Sequence, residues 1–321
     1  MVDTALDRSV VLGYGNIGLA VRRRLPDWPA DPERMAGKVV LVTGVGSGIG
    51  LATATGFARL GAGVRVLGRD VARAEDAARR TRAAAGGEVD VRPVACDVSS
   101  LADLRRFVAE FTEQEERLDV LVNNAGVMPD ERQHSVDGVE LTFATHVLAP
   151  WVLTEGLLPL LTAARPSRVV NIVSGGQYGA AIPVGDIESE RTDYGPKKIY
   201  ARTKREQLVL TQIWAGRLQG QGVHVHAMHP GWADTKGVRG WMPVFRALTR
   251  PIMRTPEEGA DTVVWLGSAP AAVETTGLFW HDRRARPTEY LLGAGRDDGG
   301  ARAELWDHVA ALAVRPVRER G

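Results

Sequence analysis

The stretch Lys38–Gly50, KVVLVTGVGSGIG, restricts the fold more than any other part of the chain. Four apolar residues, Val39–Val42, have the unbroken hydrophobicity of a strand buried on both faces. Thr43-Gly44 and a glycine-rich turn, Gly46-Ser47-Gly48-Ile49-Gly50, come next, followed by a helical run, LATATGFARLGA. Strand, glycine turn and helix aim backbone N–H groups and a positive helix end at one point, an arrangement that suits a pyrophosphate. The glycines allow the tight turn and the close approach of phosphates. The competing reading is a ligand-free turn between a core strand and a helix.

Composition narrows the classes around this stretch. A chain of 321 residues allows one large α/β domain or two small ones. With 44% hydrophobic and 25% charged residues it is an ordinary globular composition. A net charge of +1 gives no reason to invoke nucleic acid or an anionic membrane. One cysteine, Cys96, excludes an internal disulfide framework and a thiolate metal cluster, and suits the cytoplasm. No apolar run approaches the ~20 residues of a transmembrane helix, and the N-terminus lacks the order of a secretion signal.

Residues 1–37 read as an N-terminal extension. They contain Gly13-Tyr14-Gly15-Asn16-Ile17-Gly18, a literal G-x-G-x-x-G. Only Val10–Leu12 precede it as strand, the following helix must end by Pro26, and no acidic residue ends a second strand ~20 residues on. The stretch is therefore expected to form a short helix on the domain surface rather than a nucleotide site. Leu25, Trp28 and Arg22–Arg24 also suit a peripheral membrane or partner contact, the lesser reading.

From Lys38 the pattern alternates as in a single doubly wound domain over 38–315, with a tail at 316–321 and about seven parallel strands flanked by helices. Strands are expected at 64–67, 89–95, 118–122, 168–173, 223–228 and 277–280. Helices are expected after the second strand and at 101–116, 139–161, 199–218 and 301–314. The short motifs fall at the carboxyl ends of strands, where ligands gather in such sheets.

The motifs are Thr43-Gly44-x-x-x-Gly48-Ile49-Gly50, Asp97-Val98, Asn123-Asn124-Ala125-Gly126, Ser174, Tyr200-x-x-x-Lys204 and Pro230-Gly231 with Thr235. Together they resemble the short-chain dehydrogenase/reductase family over essentially 38–315. Ser174-Gly175-Gly176, the insert before Tyr200 and His229–Thr235 look most like its member-twelve branch, with retinol dehydrogenases as relatives. The resemblance implies a Rossmann fold, nicotinamide-dependent hydride transfer on an alcohol/carbonyl pair, and a homodimer or tetramer.

Carbonyl reduction needs a proton donor beside the oxygen while hydride arrives at carbon. Tyr200 and Lys204, four apart on a predicted helix, share a face, and a nearby ammonium favours the phenolate. By resemblance Lys204 also grips the nicotinamide ribose, and Ser174 holds the substrate oxygen. Tyr194 and Lys198 repeat the spacing, but Gly195-Pro196 between them breaks a helix. The family's usual helical asparagine is replaced by His146, which either relays protons or satisfies a backbone group. His224, His226 and His229 have no carboxylate at a metal-like spacing and read as strand and loop residues; no metal is expected.

Where an NAD enzyme carries an acid on its second strand, the chain has Gly68 followed by Arg69. Guanidinium pairs with phosphate in a fork, so NADP(H) is the expected cofactor. Asp70, offset by two, keeps NAD(H) open. Asp97 and Val98 are expected at the adenine, with Asp97 or Ser99 as a helix N-cap in the competing reading. Gly44, Ser47, Gly48, Ile49, Gly50, Asn124, Ala125, Gly126, Pro230, Gly231, Trp232 and Thr235 complete the expected cleft.

Residues 232–256 alternate apolar side chains with Arg239, Arg246, Arg250 and Arg254. They suit a lid over a bulky apolar carbonyl, with the arginines toward solvent or an anionic tail; a packed helix explains them equally. Tyr178 and the 177–196 insert are candidates for the opposite wall. The resulting expectation is an NADP(H)-dependent oxidoreductase acting on a hydrophobic alcohol or carbonyl. Two alternatives stand beside it: a weakly catalytic NADP(H) sensor or scaffold, and an epimerase, for which the required glycine pattern and second domain are not evident.

Overall fold

A computed structural model describes residues 2–235, 240, 243–289 and 297–316. Eight strands form one sheet: β1 (Val39–Thr43), β2 (Gly63–Gly68), β3 (Val91–Ala95), β4 (Val120–Asn123), β5 (Ser167–Ile172), β6 (Val223–Met228), β7 (Phe279–His281) and β8 (Arg284–Arg286). Their order is β3-β2-β1-β4-β5-β6-β7-β8. Neighbours through β7 are parallel, and β8 runs antiparallel to β7. The chain leaves β1 toward β2 and β3, then crosses back to β4. The loops after β1 and β4 diverge there and open the crevice in which such sheets bind ligands.

Strand alternation builds two cores. Val40 and Val42 face one layer with Phe57 and Trp265, whereas Leu41 faces the other with Phe107, Phe111 and Trp214. The first layer holds helices Gly48–Arg59, Val71–Ala85 and Pro256–Ser268. The second holds Leu101–Gln114, Pro196–Arg217 and Gly299–Ala313. It also holds a helical stretch that opens at Leu141–Phe143, widens to a π-turn over Ala144–Leu148 and continues as Ala149–Gly156. The sequence suggests one uninterrupted helix there.

An eighth strand appears where the sequence suggests seven. Asp282 and Arg283, both with φ of 53°, form the two-residue β7–β8 turn, a geometry that glycine and asparagine usually supply. Here side-chain bonds hold it. Asp282 accepts from Arg22 Nη1 at 2.6 Å and from Arg254 Nη1 and Nη2 at 2.6 and 2.9 Å. Arg283 pairs with Asp261 at 2.8 Å.

The N-terminal extension is more than one surface helix. It forms Val2–Arg8, Val10–Tyr14 and Asn16–Arg22 and is tied to the end of the chain. Arg22 is fully buried and also bonds Asp3 at 2.8 Å and the Gly13 carbonyl at 2.8 Å. Arg254 donates to the Gly15 carbonyl at 3.1 Å and the Gly13 carbonyl at 3.2 Å. The expectation that Arg254 meets solvent is therefore wrong: it is 2% exposed and anchors the extension. The G-x-G-x-x-G serves packing, since a Cβ on Gly15 would lie 2.7 Å from the Ile252 carbonyl oxygen. Arg22 is buried, and the Arg283 guanidinium stacks 5.0 Å over the Trp28 ring. Arg239, Trp241, Met242 and the Phe245 side chain lie outside the described residues.

Candidate active site

The crevice is a cleft of about 800 Å³ at the carboxyl ends of the parallel strands. Its floor is the turn after β1. Gly44 has φ of 69°, and a Cβ there would come within 2.6 Å of the Ala125 Cα, so only glycine lets the turns after β1 and β4 touch. Thr43 joins them: its Oγ1 accepts from the N–H groups of Asn124 at 2.9 Å and Ala125 at 3.0 Å. The Asn124 amide returns bonds to the carbonyls of Thr43 and Gly44 at 2.8 and 3.0 Å. The helix that begins at Gly48, just after Ser47, points its N-terminus into the cleft. Thr235 packs against Gly48 from across it.

The end of β2 is shaped by contact. A Cβ on Gly68 would stand 2.5 Å from the Ala74 backbone nitrogen, so no acidic side chain fits there. Asp70 caps the next helix, accepting from the Arg73 N–H at 2.9 Å and pairing with the Arg73 side chain at 3.4 Å. Arg69 and Arg73 line the cleft; Asp70 does not. Asp97 lines it as well and closes a turn onto Ser99, accepting from its N–H at 3.0 Å and its hydroxyl at 2.7 Å. Neither residue is the helix cap; Ser100 is, accepting from the Asp103 N–H at 3.3 Å.

At the far end stand Ser174, after β5, and Tyr200 and Lys204 on the helix Pro196–Arg217. Pro196 occupies the first turn of that helix, with Gly195 as its cap. The helix thus starts after Tyr194, which instead bonds the Pro129 carbonyl at 2.8 Å. Tyr200 is hydrogen-bonded to Ser174. Burial pushes its phenol up to about 12, with the Ser174 bond pulling the other way. The Lys204 ammonium lies 5.8 Å from the ring centroid of Tyr200 and donates to the Ile172 carbonyl at 2.8 Å and Gln207 at 2.9 Å. Burial takes it down to about 7. Desolvation, rather than the ammonium foreseen from the sequence, dominates the phenol here.

His146 sits within the π-turn behind the cleft, its ring edge-on to Tyr200 at 5.3 Å. Both ring nitrogens are committed. Nε2 accepts the Val127 N–H at 3.0 Å, and Nδ1 meets the Thr203 hydroxyl at 2.8 Å. Burial, with Lys204 nearby, pushes the imidazole well below 6.5 and keeps it neutral.

Every cofactor residue expected from the motifs lines this one cleft: Gly44, Ser47, Gly48, Ile49, Gly50, Arg69, Asp97, Val98, Asn124, Ala125, Gly126, Tyr200, Lys204, Pro230, Gly231, Trp232 and Thr235. Tyr178 lines it too, and donates its hydroxyl to the Pro287 carbonyl at 2.8 Å. Sequence reading missed Tyr14, Arg73 and the position of His229 in the wall. His229 was visible as a loop residue and as the start of the His229–Thr235 resemblance, with no role assigned to its side chain. Nothing local marks Tyr14, since its place depends on docking of the extension.

The family model for short chain dehydrogenases matches residues 38–243. The human Dehydrogenase/reductase SDR family member 12 is 39% identical over 288 residues, 89% of each chain. Human Retinol dehydrogenase 14 is 37% identical over 297 residues, 86% of each. A Pseudomonas aeruginosa RhlG/NADP active-site complex superposes with a TM-score of 0.63 at 28% identity, covering 77% of this chain and 94% of that one. With the cleft, its motifs and these matches in agreement, the chain belongs to the short-chain dehydrogenase/reductase family.

Proposed function

We propose that the chain is an NADP(H)-preferring reductase of hydrophobic carbonyl compounds, with Tyr200 as proton donor. The observation that carries this reading is a half-buried phenol, bonded to Ser174, in the same cleft as the glycine turn and helix N-terminus. The residues present fit a dinucleotide: the glycine turn and the helix N-terminus at Gly48 face the cleft, and Asn124, Asp97 and Thr235 stand around it. A bound nicotinamide supplies the hydride that adds to the carbonyl carbon.

Tyr200 gives its proton to the carbonyl oxygen as the C=O π bond opens, which yields the alcohol, and solvent then restores the phenol. Ser174 holds that oxygen against the phenol. Lys204 offers its ammonium to the ribose side and stabilises the transient phenolate. His146 is a positioning residue: it fixes the Val127 backbone and Thr203, one residue from Lys204.

The NADP(H) preference rests on the end of β2. Gly68 excludes the acid that would bind ribose hydroxyls, Asp70 is taken by its helix, and Arg69 and Arg73 face the cleft. The cysteine content suits a cytoplasmic setting, and among the described residues no helix is long and apolar enough to cross a membrane. A cofactor sensor with little chemistry is the second reading, favoured by the committed nitrogens of His146.

Tyr200→Phe separates the two. The reductase reading expects quenching of tryptophan fluorescence by NADPH to survive while NADPH-dependent turnover of a carbonyl panel is lost. Turnover retained in Tyr200→Phe refutes its role, and a wild-type protein that binds NADPH yet turns over no carbonyl favours the sensor.

A further inference from the structure

His229 follows β6, lines the cleft beside the Ser174 turn and is 5% exposed. Its Nδ1 accepts the N–H of Gly175 at 3.2 Å. A neutral imidazole that accepts at Nδ1 carries its proton at Nε2. Burial, reinforced by His281 and Arg254, pushes this imidazole well below 6.5, so the neutral ring is the one present. The Nε2 atom is itself buried and has no hydrogen-bond partner in the protein. A buried donor without an acceptor is destabilising, and in a native cleft it calls for an explanation.

The ring is held against turning away. The edge of Tyr14 meets it at 4.5 Å, and His281 stacks on it at 5.0 Å. A Cβ on Gly175 would lie 3.1 Å from the His229 Nε2 and 2.8 Å from Tyr14 Cε2. The unpartnered donor, the N-terminal tyrosine and the residue after Ser174, the hydrogen-bond partner of Tyr200, therefore meet in the wall of the cleft.

We infer that His229 is a substrate-binding residue that donates Nε2–H to a second oxygen of the substrate, beside the carbonyl held by Ser174 and Tyr200. Tyr14, brought in by the N-terminal extension, positions the ring. The inference rests on the carbonyl-reductase reading. It narrows the substrate class to hydrophobic carbonyl compounds with an acceptor oxygen a few bonds from the reacting carbon.

The test uses the full chain with NADPH and matched pairs: β-keto esters and the ketones of equal length in which methylenes replace the ester. Wild type is expected to favour the oxygenated member in kcat/KM by about 10–100-fold, the worth of one buried donor left unmet. In His229→Leu that ratio falls toward one, and in Tyr14→Leu it falls part of the way. NADPH binding by fluorescence verifies that each variant keeps its cleft.

A ratio unchanged in a folded His229→Leu overturns the inference and leaves the reductase reading intact. No turnover of either member by wild type overturns both. Where His229→Leu does not fold, histidine ¹⁵N spectra of the wild type decide. A His229 signal protonated at Nε2 between about pH 5 and 8, shifting when a β-keto ester is added with NADP⁺, supports the assignment; an Nδ1-protonated or unresponsive ring overturns it.

Discussion

Replacing Asp282 by Asn probes the contact between the two ends of the chain. The carboxylate is 1% exposed and receives three short bonds from Arg22 and Arg254, themselves 0% and 1% exposed. Asparagine keeps the shape but removes the counter-charge of buried Arg254 and one of the two carboxylates on Arg22, which keeps Asp3. Removing one partner of a buried pair costs about 3–5 kcal/mol, and here the cation left without a carboxylate is Arg254. At roughly 2 °C per kcal/mol for a chain of this size, the thermal midpoint falls by about 6–10 °C. Thermal unfolding followed by circular dichroism reads the shift, and limited proteolysis reads release of residues 2–22. Asp3→Asn is the comparison: its side chain is 20% exposed, so the loss is smaller. A fall of less than about 2 °C in Asp282→Asn refutes the reasoning, because the guanidinium groups would then be finding other counter-charges or water.

Further outcomes follow from the same geometry. Arg69→Ala weakens NADPH binding by about 10-fold or more while NADH binding changes little, measured by fluorescence titration; equal losses for both cofactors sink the β2 argument. Gly68→Asp does not convert the protein to NADH but destabilises it by about 1–3 kcal/mol, since its Cβ meets the Ala74 backbone; a stable, NADH-preferring variant shows that reading to be wrong. His146→Asn leaves the shape of the pH–rate profile between about pH 6 and 8 unchanged, because the imidazole is already neutral there; a limb that vanishes with the substitution shows that His146 titrates in turnover. Burial pushes the Asp3 carboxyl up, but Arg286 and Arg22 outweigh it and hold it down to about 2. Its folded pKa is thus below the unfolded one, so the stability it lends is present above about pH 4 and is lost as pH falls toward 2. Denaturant midpoints should drop over that window by less in Asp3→Asn than in wild type; equal drops would show that Asp3 is not among the groups responsible.

The sheet and the nucleotide cleft were legible because their signals are local. Val39–Val42, Asn123–Gly126 and the Tyr200–Lys204 spacing each report on a strand end or helix face that forms within a few residues. The β7–β8 hairpin was not legible, since Asp282-Arg283 lacks turn glycines and is held by Arg22 and Arg254, 260 and 28 residues away. Arg254 looked like a solvent-facing charge in an amphipathic lid for the same reason: its partner cannot be seen along the chain. Tyr14 was hidden inside a glycine motif whose usual meaning did not apply. Ser100 displaced Asp97 and Ser99 as a helix cap, by three residues and by one, a difference that depends on the Asp97–Ser99 turn.

The salt-bridged knot also sets a timetable for synthesis. Asp3 and Arg22 are made well before their partners Arg286 and Asp282, which stand 283 and 260 positions later. The N-terminal helices therefore emerge long before anything can receive them, with Val11, Leu12 and Ile17 on their surface. Loop closure over such a span is slow compared with local folding. The wall of the cleft that Tyr14 supplies is thus set late, completed only after Asp282 and Arg286 have been synthesised.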